Sequence, residues 1–251
     1  MNLQLLSFVD SWNGFWDDMY EVFIKSDRWE LYFKGLGNTL LIAVVACLIG
    51  IILGTIVAVL RVACVNNKNN PLASKFSRFV YKIIGGITGI YIAVIRGTPT
   101  LVQLLIMYYV VFASAKNGVP VAMLAFGINS GAYVAETIRG GILSIDRGQM
   151  EAGRSLGLSN VQTMRSVILP QAIKNILPAL GNEFIMLLKE TSIVGYVAIS
   201  DLTFAGDRIR SSTFIMFAPL LIVAVIYLVI VLGLSQLLKV LERRLAKSDS
   251  R

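Results

Sequence analysis

Long uncharged runs alternate with short clusters of basic residues along this chain. Charge-free windows span Leu36–Leu60, Gly97–Ala115, Asn117–Ala135 and Ser211–Leu238. Each reaches the roughly 18 residues that a helix needs to cross about 30 Å of hydrocarbon. The pattern predicts an all-α, polytopic bundle of five transmembrane helices near 36–62, 99–115, 120–140, 175–199 and 213–238. The run 83–115 is apolar apart from Arg96, too long for one untilted crossing at about 1.5 Å per residue. A break is expected at Arg96-Gly97-Thr98-Pro99, with Thr98 as N-cap and Pro99 in the first turn of the second span. Residues 71–95 then form an amphipathic or tilted lead-in helix whose Gly85, Gly86 and Gly89 permit tight packing.

Composition agrees with the pattern. The 251 residues are 56% hydrophobic and only 15% charged, against about 25% charged in soluble domains. There is no histidine, which removes His-based triads, His zinc sites and His proton relays together. No GxxxxGK[ST] pattern occurs, so the chain does not bind ATP through a P-loop of its own. Cys47 and Cys64 are the only cysteines, and their spacing supports neither a metal nor a disulfide. Residues 1–30 carry six acidic side chains and do not read as a cleaved signal.

Basic residues orient the bundle. With the N-terminus outside and the C-terminus cytoplasmic, 15 lysines and arginines fall inside and six outside, the expected positive-inside bias. The net charge of +8 is thereby accounted for without nucleic acid. Residues 1–34 are expected as an extracytoplasmic amphipathic segment, because aromatics such as Phe8, Trp12, Trp16, Tyr20 and Trp29 interleave with acids there and suit the headgroup zone. The transmembrane domain is expected over 35–241, including a cytoplasmic loop over 143–172, with a cytoplasmic tail over 242–251.

The polar segment Glu151–Pro170 is too punctuated for a simple connector. QMEAGRSLG reads as a short helix closed by Gly157, with Ser159 capping a second helix, Asn160–Ile168, that Pro170 disturbs. Small residues at Ala152 and Gly153 allow close approach, while Glu151 and Arg154 supply polar contacts and Leu158 follows the closing glycine. The result is a docking knob with no nucleophile or base.

These residues resemble the signature loop of type I ABC importer membrane subunits: Glu151, Ala152, Gly157, Leu169 and Pro170 fit, with Gly153 for the usual alanine and Val167 for the usual isoleucine. Three further elements resemble the polar amino acid uptake group. They are Arg96-Gly97-Thr98-Pro99 with Leu101-Val102-Gln103-Leu104, Ser130-Gly131-Ala132-Tyr133 with Glu136 and Arg139-Gly140-Gly141, and Lys189-Glu190-Thr191-Ser192. Together they cover about 36–240. The resemblance implies a multi-pass permease subunit of the bacterial plasma membrane, paired with a like or sister permease around one path. It also implies a dimer of ABC ATPases holding ATP and Mg, an extracytoplasmic solute-binding protein, and no cofactor in this chain.

Charged groups at membrane depth usually face a cavity or a partner. Arg96, Glu136, Glu183, Lys189 and Glu190 qualify. Glu183 lies about 12 Å into its span counted from Asn175, with apolar neighbours. It is expected either to meet a substrate cation or to pair with an arginine such as Arg96 or with the partner subunit. The resemblance implies a substrate role for the Asn182-Glu183 pair, and Thr191, Ser192, Asn129, Ser130 and Tyr133 are further lining candidates. Arg96, Gly97, Thr98, Pro99, Lys189 and Glu190 are expected to shape or gate the path. Glu136 is expected to pair with Arg139 at i,i+3. The resemblance implies a substrate that is a basic or a neutral polar amino acid. The alternative reading, an ion-gradient-driven secondary amino acid carrier, has no use for the docking knob and lacks a repeat.

Overall fold

Residues 14–68 and 74–247 are described by a computed structural model, and within them every regular element is helical. Phe8 and Trp12 lie outside the described residues. The elements are α1 (14–23), α2 (Trp29–Lys68), α3 (Lys75–Gly97), α4 (Thr100–Ile106) with a π-helical turn Met107–Val111, α5 (Gly118–Leu143), α6 (Arg147–Ser155) and α7 (Asn160–Thr163). A second π-helical turn, Met164–Ile168, leads into α8 (Leu169–Glu190), followed by a 3-10 turn Thr191–Val197, α9 (Leu202–Thr213) and α10 (Phe217–Lys247).

Among the described residues, four helical stretches are long and apolar enough to cross a membrane: Lys25–Val65, Lys75–Gly97, Gly118–Leu143 and Phe217–Leu245. This corrects the expected second span. The helical part beyond Pro99 ends at Val111, about 18 Å of rise and short of a crossing. The supposed lead-in, α3, is one of the four. Its charges (Lys75, Arg78 and Lys82) crowd its first turns, which lowers its average hydropathy without shortening its apolar body. Helix α8 has 22 residues but carries Lys174, Glu183, Lys189 and Glu190 and falls outside that set. The helix of the expected fourth span ends at Glu190, where the chain tightens into the 3-10 turn.

The closest packing joins α2 and α5, which run in the same direction. A Cβ on Gly50 would stand 2.7 Å from Ser130 Oγ, one on Gly54 2.6 Å from Val134 Cβ, and one on Gly127 2.6 Å from Ile49 Cγ2. Small residues on both sides let the backbones approach, as in membrane helix pairs generally. Helix α3 runs the other way: Cys64 Sγ donates to Tyr81 O, and Ile92 packs with Val57, Ala132 and Ala135. Helix α4 continues in that direction, burying Leu104 against Ile42, Ala46 and Ala122. Thus α3 and α4 form one interrupted path alongside α2. Helices α8 and α10 complete the bundle, with Gly181 of α8 against Leu238 of α10.

At the end where α2 begins, α9 is clamped to it. Asp201 caps α9 by accepting from Thr203 N and Phe204 N, Leu202 N donates to Thr39 Oγ1, and Asn38 Nδ2 donates to Ser200 O at 2.7 Å. Helix α1 closes this end through Val22, packed with Tyr32, Leu202 and Ala218. Beside it, hydrogen bonds from Lys25 and Arg28 hold the Glu21 carboxyl below its usual range. Trp29, Phe33, Val44, Leu48, Ile52 and Ile56 stay exposed on α2, an outward apolar surface suited to lipid.

Candidate functional site

The interruption between α3 and α4 is built from four residues and repaired by a fifth. Helix α3 ends at Gly97, and its last carbonyls lose their helical partners. Thr98 was expected to N-cap the next helix; instead its hydroxyl turns back and donates to Val94 O at 2.8 Å. Pro99 takes the N-cap position of α4, where no side-chain bond is made. The freed carbonyls at the end of α3 are instead met by Gln103, whose Nε2 donates to Ile95 O (2.8 Å), Thr98 O (3.2 Å) and Thr98 Oγ1 (2.8 Å). Its Oε1 accepts from Asn129 Nδ2 of α5 at 2.9 Å. Gln103 was visible in sequence only as part of the Leu101–Leu104 motif, and no spacing told which groups it reaches. Arg96, Gly97, Thr98 and Pro99 are all exposed in the single chain, although the break lies level with the middle of α2 and α5.

Around that break the structure gathers several of the anticipated residues. Arg96 lies 5.2 Å from the centroid of the Tyr133 ring, a cation–π distance. Ser130 is fully buried, and Asn129 is 2% exposed. Glu183 is half-buried on α8, facing Ser130 and under the charges of Glu190 and Arg96. The anticipated alternative of a Glu183–Arg96 ion pair is not formed; Arg96 occupies the Tyr133 ring instead. Asn182 points outward, with Nδ2 donating to Pro178 O. Lys189 is exposed and Glu190 half-buried. Thr191 is fully buried with its hydroxyl donated to Leu188 O at 2.7 Å, while Ser192 is half-buried beside it.

Glu136 lies within electrostatic reach of Arg96, but its hydrogen bonds go to two other arginines. Arg139 Nη2 and Nε reach its Oε2 at 2.7 and 2.9 Å, the expected i,i+3 pair, and Arg61 Nη1 reaches Oε1 at 3.1 Å. The arginine from α2 was not anticipated, because it lies 75 residues away.

The 143–172 loop folds as a knob. Asp146 caps α6 by accepting from Gly148 N. At the other end Gly157 has φ +84, Leu158 N donates to Gly153 O, and Gly157 N donates to Arg154 O. These are the two bonds of a Schellman closure. Ser159 and Gln162 form a reciprocal capping box that starts α7. Gly153 is buried, and a Cβ there would stand 2.5 Å from Thr163 Cγ2; the glycine brings α6 onto α7. The expected second helix, Asn160–Ile168, is α-helical only to Thr163 and widens into the π-helical turn just ahead of Pro170. Leu169 N bonds Met164 O across the π-helical turn, and Pro170 falls in the first turn of α8, where its missing N–H costs little. Glu151, Ala152, Arg154 and Gly157 are exposed and Leu158 half-buried. The sequence reading missed Leu156 and Val161, which are 82% and 76% exposed on the knob. Two apolar side chains left this open on one short knob suit a protein contact.

A family model described as "Binding-protein-dependent transport system inner membrane component" matches residues 70–247. The chain is similar to the probable glutamine ABC transporter permease protein GlnM of Bacillus subtilis (strain 168), 37% identical over 229 residues that cover 90% of this chain and 99% of that protein. It is also similar to the arginine transport system permease protein ArtQ of the same organism, 36% identical over 86% of this chain and 93% of that one. Among solved structures it resembles a chain of an amino acid ABC transporter crystallised with histidines, with TM-score 0.76 and 40% identity over 97% of this chain and 100% of that one. It shares the fold of a chain of the inward-facing MetNI methionine ABC transporter, with TM-score 0.69 at 20% identity over 88% of this chain and 99% of that one.

Proposed function

The chain belongs to the family of binding-protein-dependent transport system inner membrane components, and on that premise we propose that it is the permease subunit of an ATP-driven importer of a polar or basic amino acid. It crosses the plasma membrane five times, through α2, the interrupted α3–α4 path, α5, α8 and α10, with its N-terminus outside and its C-terminus in the cytoplasm. A solute-binding protein delivers the amino acid from outside, and a dimer of ATPase subunits, which hold ATP and Mg, works from within.

The observation that carries this reading is the α6–α7 knob. It is capped at every end by its own hydrogen bonds and still presents Leu156 and Val161 to solvent. A stand-alone carrier has no use for such an element, whereas a subunit driven by a separate motor needs one. A second permease, identical or a sister chain, covers the polar surface at Arg96–Pro99 that a single copy leaves exposed in mid-bundle. Glu183, half-buried and within electrostatic reach of Arg96, is suited to the ammonium or side-chain cation of the passing amino acid.

The test is ATP hydrolysis in proteoliposomes containing this chain, its ATPase and its binding protein, screened across the amino acids. Stimulation by arginine, lysine, histidine or glutamine is the expected result. A chain that takes up an amino acid on an ion gradient without any ATPase overturns the proposal.

A further inference from the structure

An interrupted helix inside a bilayer has a particular problem: backbone groups freed at the break have no water to turn to, and each unsatisfied group costs several kcal/mol, by the roughly known cost of burying polar groups. Here the repair is concentrated in one side chain. The Gln103 amide donates to two carbonyls and one hydroxyl of the α3 terminus, while its carbonyl oxygen accepts from Asn129. The first set closes the break; the last ties it to α5. Asn129 is followed by Ser130, whose buried hydroxyl is faced by Glu183. On the other side of the break, Arg96 stacks on Tyr133, four residues further along α5 from Asn129. The Arg96 backbone therefore hangs between two attachments to α5, one through its own guanidinium and one through Gln103.

We propose that Gln103 is the positioning residue of the path: its carboxamide pins the α3–α4 break to α5 and so fixes where the Arg96 cation stands relative to the Glu183 carboxylate. The proposal rests on reading the bundle as a translocation path, where a cation and an anion held apart suit the two ends of a zwitterion. Gln103 need not touch the amino acid itself. Arg96 on Tyr133 and the Tyr91 hydroxyl donating to Ile128 O also join α3 to α5, but among the described residues only Gln103 joins the freed carbonyls of the break to that helix, since the Thr98 hydroxyl serves Val94 O.

The experiment uses the full chain in lipid nanodiscs, with Cys47→Ala and Cys64→Ala and a nitroxide on Gly97→Cys. Gly97 is exposed, and a Cβ there meets nothing within 4 Å, so the label reports the break without disturbing it. Gln103→Met keeps the length and removes every hydrogen bond. Gln103→Glu keeps an acceptor for Asn129 but loses the donors to the break. The expected result is a sharp rise in label mobility in both variants. In the assembled transporter the maximal uptake rate should fall about ten- to a hundredfold, the range for a catalytic or binding group displaced by about 1 Å, with basal ATP hydrolysis retained. Unchanged mobility in both variants overturns the proposal even if uptake is lost, because Gln103 then acts by direct contact. Should the Met variant fail to assemble, the Glu variant decides by the same reading. The mobility measurement needs no ATPase or substrate, so a failure of the importer reading is seen separately, in the uptake arm alone.

Discussion

The chain bends sharply in two places, and the two bends are built on opposite plans. In the knob, freed backbone groups are met by residues within a few positions: Gly148 N by Asp146, Gly153 O by Leu158, Ser159 N by Gln162. At the α3–α4 break, closure comes from Gln103 and is completed by Asn129, 26 residues on. The first keeps its shape wherever its flanking helices go. The second keeps its shape only while α5 stays in place. A self-contained element transmits force without deforming, whereas a neighbour-dependent one changes when its neighbour moves. That contrast matches a docking element at one end and a substrate passage at the other.

Breaking the self-contained bend should have the largest effect. Gly157→Val puts a β-branched residue at φ +84, a conformation costing on the order of 1–3 kcal/mol for such residues. Uptake should be lost while the protein still inserts, measured by proteoliposome transport beside membrane yield; normal uptake sinks the docking role. Next is Glu183→Gln, which should lower uptake of a basic amino acid about tenfold, equivalent to roughly 1.4 kcal/mol. Glu183→Asp should be milder, and equal losses in both would mean the charge is not what matters. Gly153→Ala forces a methyl toward Thr163, an overpacking of typically about 1–3 kcal/mol. It should reduce ATPase stimulation several-fold without changing basal hydrolysis, separating the knob's shape from its presence. Ser159→Ala removes one half of the capping box, about 1 kcal/mol of local stability, which hydrogen exchange over 159–163 reads directly. The smallest effect is expected for Glu136→Gln. Its partners Arg61 and Arg139 are partly exposed, and such pairs contribute about 1 kcal/mol or less, visible as a slight drop in thermal midpoint.

What the sequence disclosed follows the same division. The closing glycine of α6, the Ser159 cap and the Glu136–Arg139 pair are local patterns and were legible from spacing alone. Thr98 was misassigned because a threonine before a proline suits both an N-cap and a hydroxyl turned back on the preceding helix; only Gln103's three-dimensional reach decides between them. The second span was placed beyond Pro99 because the break looked like a beginning, when it divides a path already under way in α3. That Pro170 disturbs the second helix was legible, but not that the disturbance takes the form of a π-helical turn leading into α8. Arg61 joining Glu136, and Leu156 and Val161 standing open, depend on contacts or their absence across the fold. Of the site residues, Glu183, Ser130, Asn129, Tyr133 and Arg96 were chosen by chemistry and lie around one break. Gln103, which organises the break, has an ordinary side chain in an ordinary helical position.

The glycine contacts of α2 with α5 also determine what can move. With Gly50, Gly54 and Gly127 each facing the other helix at a separation that leaves no room for a methyl, sliding one turn would drive Val134 or Ile49 into the opposing backbone. These two helices therefore behave as a single rail. Any alternation between outward and inward openings falls to the parts that ride along it, with α8 carrying its carboxylate and the hinged α3–α4 path carrying its arginine.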